Sequence, residues 1–133
     1  MIKRLIIILC VLLAAGMLLT GCFSSGGGEK EMYNRITPQQ AKEIMDTGSD
    51  YIILDVRTQE EYDLGHIPGA VLIPDTEIAH RAESELPQKD QLILVYCRSG
   101  RRSKLASEEL AGLGYTNIHE FGGIIDWPYE ITE

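Results

Sequence analysis

From Thr37 to the C-terminus, helical stripes and unbroken apolar runs take turns along the chain. Thr37-Pro38-Gln39-Gln40 predicts a helix start: threonine as cap, proline at the first helical position and glutamine completing a capping box. Ala41, Ile44 and Met45 give its apolar stripe and Gly48 its end. Tyr51-Ile52-Ile53-Leu54 is the continuous run expected of a strand buried on both faces. Thr58-Gln59-Glu60-Glu61 is a second capping box, opening a short helix to about Leu64. Val71-Leu72-Ile73 reads as a short strand. Asp75 or Thr76 is expected to cap a helix through Ile78, Ala79 and Ala82, limited by Pro87. Gln91 to Tyr96 is a second strong buried strand. Ser103 to Leu113 predicts a helix with Leu105, Ala106, Leu110 and Leu113 inward and Gly114 at its end. Asn117 to Phe121 is expected to be the last strand. The alternation predicts an α/β sandwich with a mainly parallel sheet, and no internal repeat interrupts it.

The first 31 residues follow different rules. Lys3 and Arg4 precede an uncharged stretch from Leu5 to Thr20, followed by Leu19-Thr20-Gly21-Cys22. This resembles a bacterial lipoprotein signal, in which the cysteine becomes the acylated N-terminus. A plain transmembrane anchor is the alternative, but a spanning helix needs ~20 apolar residues, and the run is short, as in signal peptides. Residues 24–31, SSGGGEKE, read as a flexible tether. The expected organisation is a signal peptide over 1–21, a lipidated tether over 22–31 and one domain over 32–133. Lipidation at Cys22 implies a membrane-anchored, extracytoplasmic protein of the cell envelope.

Charge narrows the partners. The chain carries 12 Lys+Arg against 20 Asp+Glu, a formal net charge of −8. Removal of 1–21 takes two basic residues and no acidic ones, leaving about −10, which argues against nucleic acid and against electrostatic attachment to anionic lipid. Of three cysteines, Cys10 departs with the signal and Cys22 is consumed by lipid, so Cys97 is the only thiol of the domain. A leftover unpaired cysteine in an exported protein marks a reactive thiol. His66, His80 and His119 are scattered, without the spacing of a metal site.

Against this acidic background, Val95-Tyr96-Cys97-Arg98-Ser99-Gly100-Arg101-Arg102-Ser103 places three arginines within five residues of Cys97. In a parallel α/β sheet ligands bind beyond the C-terminal ends of the strands, and Cys97 ends a strand directly before a helix. The loop from Arg98 to Arg102 is then expected to curl around the thiol, with its N–H groups and the helix N-terminus favouring the thiolate. Gly100 permits a tight turn or a positive φ. A lone cysteine at a strand end is often a small buried residue; the arginine cluster shifts the reading toward a site. Asp55 and Arg57 end the other strong strand on the same edge. Arg57 either lines the pocket or, as Arg forks commonly do, locks a carboxylate of Asp55, Glu60 or Glu61.

These residues resemble the single-domain rhodaneses, a sulfurtransferase family. Leu54-Asp55-Val56-Arg57, Glu61-Tyr62 and Gly65-His66-Ile67-Pro68-Gly69-Ala70 match its first signature, Cys97 to Ser103 its active-site loop, and Phe121-Gly122-Gly123 with Trp127 its ending. The resemblance spans nearly all of Thr37 to Pro128. It implies a three-layer sandwich and a Cys97 thiolate that takes a sulfane sulfur from thiosulfate or a similar anion, holds it as a persulfide and passes it to cyanide or a thiol. It also implies that Arg98, Ser99, Gly100, Arg101, Arg102 and Ser103 bind the donor, with no metal or organic cofactor.

Two rivals stand beside this reading. A phosphatase or arsenate reductase on a related fold would need an arginine six positions after the cysteine, where this chain has Ser103, and often a histidine before it, where this chain has Tyr96. A sulfur carrier or binding module without turnover is the other.

Overall fold

Three apolar runs become the centre of one sheet in the computed structural model, which describes residues 32–133. The strands are β1 (Asn34–Arg35), β2 (Tyr51–Asp55), β3 (Val71–Leu72), β4 (Leu92–Cys97) and β5 (Ile118–Gly123), in the order β1-β5-β4-β2-β3. All four pairings are parallel; one isolated antiparallel bridge, His66 to Thr132, lies outside them. The strand β1 has no strong hydrophobic pattern and was not expected. The signal and tether expected over 1–31 lie outside the described residues.

Side-chain alternation along the strands builds a core on each face. Leu54, Ile93, Val95, Cys97 and Ile118 face α3 (Ile78–Glu85) and α4 (Arg101–Gly112). Ile53, Leu94, Tyr96 and Phe121 face α1 (Pro38–Asp46), Ile67 and Trp127. The result is a three-layer sandwich. Trp127 is 9% exposed and packs on Phe121 and Tyr129 as an anchor between the C-terminal segment and the sheet. Leu54, Ile93, Leu94 and Val95 have no exposed surface, each contributing about 1.5–3 kcal/mol.

Both capping boxes form. Thr37 accepts from Gln40 N–H while the Gln40 side chain accepts from Thr37 N–H. Thr58 and Glu61 do the same for α2 (Gln59–Asp63).

Three expectations need correction. Neither Asp75 nor Thr76 caps α3: Asp75–Glu77 is a 3-10 turn leading into it, and Glu77, its N-cap, makes no side-chain cap bond. The helix α4 starts at Arg101, two residues early, because Gly100 takes the cap position in a left-handed conformation at φ +98°. Leu105 is 54% exposed rather than inward. The face of α4 against the sheet is Ser103, Ala106, Ser107 and Leu110; the first three are small and let the helix approach closely, which leaves Leu105 on the far side.

Candidate active site

The ends of β2, β4 and β5 converge on Cys97, whose residue is 1% exposed. The loop that follows folds back over the sulfur: Gly100 N–H donates to Cys97 Sγ at 3.0 Å, and Ser103 Oγ stands 3.4 Å away. Burial is the largest influence on the thiol and pushes it up. The Ser103 hydroxyl and the N–H groups of Ser103, Gly100 and Ser99 together outweigh that influence, and the thiol ends below its ordinary value. Thiolate stabilisation therefore comes from hydrogen bonds of the loop, more than from arginine charge.

The three arginines divide. Arg102 is a bidentate partner of Glu61, Nη1 to Oε2 at 2.7 Å and Nη2 to Oε1 at 2.8 Å. Arg98 and Arg101 are exposed and, among the described residues, their side chains have no ion pair or hydrogen bond. Arg98 lines an open cleft of ≈ 340 Å³ together with Arg57, Glu61, Leu64, Ile125 and Ile131.

Arg57 takes the carboxylate-locking role that was one of its two expected readings. It grips Asp55 through Nε and Nη2 and donates to the Gly65 carbonyl at 2.8 Å, all in buried surroundings, and it also lines the cleft. Tyr96 completes this cluster, donating to Asp55 Oδ2 at 2.6 Å and accepting from Ile67 N–H at 3.1 Å. Burial, and then the Asp55 carboxylate, push the Tyr96 phenol far up, so it stays a donor. Glu60 and Glu61 do not pair with Arg57.

Two features of the site were not read from the sequence. Gly123 packs so closely on the loop that a Cβ there would stand 2.0 Å from the Arg98 carbonyl oxygen. The Ile125 N–H also ties down that oxygen, at 3.2 Å. The second is Glu120, 3% exposed, whose Oε1 accepts from Ser103 Oγ at 2.6 Å and from Gly122 N–H at 2.9 Å. Glu120 pairs in regular register with Val95, on the same face of the sheet as Cys97, and the register shift that follows sets Gly123 opposite Cys97. The available signal was period two: Ile118 and Glu120 share a face, so a charge had been placed on an inward-facing position.

A family model for the rhodanese-like domain matches residues 37–128. The chain belongs to the rhodanese family. It is 40% identical over 73 residues to the thiosulfate sulfurtransferase PspE of Escherichia coli (strain K12), covering 55% of this chain and 70% of that one. It is 37% identical over 111 residues to the putative sulfur carrier protein YrkF of Bacillus subtilis (strain 168), covering 79% of this chain and 59% of that relative. Longer relatives named as adenylyltransferases and sulfurtransferases are spanned over about a quarter of their length. Among solved structures, a rhodanese with anions from E. coli superposes with a TM-score of 0.59 at 35% identity, covering 62% of this chain and 98% of that one. The rhodanese-like domain and the relatives named as sulfurtransferases support sulfur transfer at the level of the family.

Proposed function

We propose that this rhodanese moves a sulfane sulfur from thiosulfate, or a similar small anion, to a thiophilic acceptor through a persulfide on Cys97. The observation that carries the reading is the loop closing on the buried Cys97 sulfur, with Gly100 N–H at 3.0 Å. The thiolate attacks the outer sulfur of thiosulfate; a new S–S bond forms as the old one breaks, and sulfite leaves with its electron pair. Loop N–H groups then face the negative outer sulfur of the persulfide. Cyanide or a thiolate takes that sulfur and regenerates the Cys97 thiolate. Arg98 and Arg101 are the arginines free to receive the anion.

Two observations weigh against phosphoryl chemistry. Ser103 occupies the position six residues after the cysteine, and Arg102 is held by Glu61. A second reading, a sulfur carrier that loads without turning over, is favoured by the likeness to the putative sulfur carrier YrkF. Intact mass after thiosulfate treatment tests the first step: the parent should gain one sulfur atom and the Cys97→Ser variant none, and loading of that variant would overturn the proposal. Steady turnover with thiosulfate and cyanide separates catalyst from carrier.

We further propose that Cys22 is lipidated and anchors the domain to a membrane of the cell envelope. The support is the basic residues, the short uncharged run and Leu19-Thr20-Gly21-Cys22.

A further inference from the structure

Ser103 stands between two groups that both need its hydroxyl, and it has one hydrogen to give. On one side, Glu120 Oε1 lies 2.6 Å away. On the other, Cys97 Sγ lies 3.4 Å away, within reach of an S–H donating to the serine oxygen. The Gly100 carbonyl at 3.1 Å and the Gly122 carbonyl at 3.4 Å complete the surroundings of Oγ. Cys97, Ser103 and Glu120 are all nearly or fully buried.

We propose that Ser103 relays the Cys97 proton to Glu120. The S–H bond breaks as an O–H bond forms at Ser103, and the original Ser103 hydrogen passes to Glu120 Oε1. A thiolate and a neutral carboxylic acid replace a thiol and a carboxylate. No charge enters or leaves, and no water is consumed. The hydroxyl that served Glu120 now points at the sulfur and stabilises its charge. Glu120 touches neither the sulfur nor a donor; it acts by orienting Ser103 and holding the proton. The inference rests on the thiolate being the nucleophile, as proposed above.

Charged groups lie on the elements around the pair. Arg98 lies in the loop, and Arg101, Arg102 and Lys104 lie on α4. Arg35 of β1 stands opposite Glu120 in register. Glu61 and Asp75 act on Arg102, as does Cys97 itself. His119, beside Glu120 on β5, directs its ring to Asn117 and Asn34. All of these stay constant when Glu120 alone is changed.

The test is the pH profile of Cys97 alkylation by iodoacetamide in the full chain, read on the Cys97-bearing peptide by mass so that Cys10 and Cys22 do not interfere. Internal transfer keeps a fraction of thiolate that is independent of pH while the pair shares one proton. The parent rate should therefore flatten on the acid side of the thiol titration. In Glu120→Gln and in Ser103→Ala it should keep falling tenfold per pH unit, and Ser103→Thr, which retains a hydroxyl, should restore the plateau. A plateau surviving in Glu120→Gln overturns the relay. So does an acid-side rate that rises in Glu120→Gln, the outcome expected if the carboxylate is only a nearby negative charge disfavouring the thiolate. Should Glu120→Gln fail to fold, Ser103→Ala, which removes one hydroxyl, decides alone. Alkylation involves no sulfur donor, so its outcome is independent of whether thiosulfate loads Cys97.

Discussion

Arg102 on the first turn of α4 and Glu61 on α2 are joined by two parallel hydrogen bonds of 2.7 and 2.8 Å. The bond to Arg102, with the Thr58 contacts, holds the Glu61 carboxyl at about 2, below its ordinary 4.5. A lowered carboxylate contributes stability that is fully present above 4.5 and lost as pH falls toward 2. The Arg102→Ala variant should therefore be less stable than the parent at neutral pH by about 1 kcal/mol, or roughly 4–8 °C in Tm. The two melting curves should converge as pH falls below 4.5. A difference that persists unchanged to pH 2 would assign the effect to packing.

Arg98 and Arg101 present the opposite case. With no partner of their own among the described residues, they are available to an anion. Changing either to Ala should raise KM for thiosulfate by about 2–5-fold, the scale of an exposed ionic contact, with little change in Tm. Arg102→Ala should show the reverse balance. Steady-state kinetics beside thermal melts read both quantities, and equal KM values in all three variants would remove the arginines from donor binding.

Gly123 is limited by space and not by dihedral, since its φ is −121°. The added Cβ of Gly123→Ala would meet the Arg98 carbonyl at 2.0 Å. The loop must then move, at a cost of about 1–3 kcal/mol, and sulfur loading at Cys97 should fall with it. Gly112→Ala is the control: a Cβ there has nothing within 4 Å, and its position in α4 predicts a gain of up to about 1 kcal/mol. Denaturant melts and the extent of persulfide formation check the pair.

Cys22→Ala should release a soluble domain that still loads sulfur, because the tether sequence SSGGGEKE over 24–31 has no large apolar side chain to give a core. Fractionation of cells measures this. Full retention in the membrane would point to residues 1–21 acting as a spanning anchor.

Much of the fold was legible because its signals are local. Capping boxes at Thr37 and Thr58, and apolar runs at Tyr51 and Leu92, each depend on neighbours a few residues away. Cys97, Gly100 and the Asp55–Arg57 pair were legible for the same reason. What the sequence hid was long-range. Arg102 finds Glu61 41 positions earlier, and Ser103 finds Glu120 17 positions later. Period two puts Glu120 on an inward face, but no periodicity encodes the register shift that sets Gly123 opposite Cys97 and brings the loop over that face. Leu105 was misplaced because helical spacing allows several faces, and only the small residues Ser103, Ala106 and Ser107 reveal which one meets the sheet.

A thiol that is 1% exposed is protected by size as well as by chemistry. Compact reagents, such as small sulfur anions, can thread past the loop at a rate set by its normal fluctuations. Another folded protein's disulfide, or a bulky oxidised thiol, can approach only after the contacts of the sulfur with Gly100 N–H and Ser103 Oγ have opened. The loop that folds over Cys97 makes it a poor target for mixed-disulfide formation.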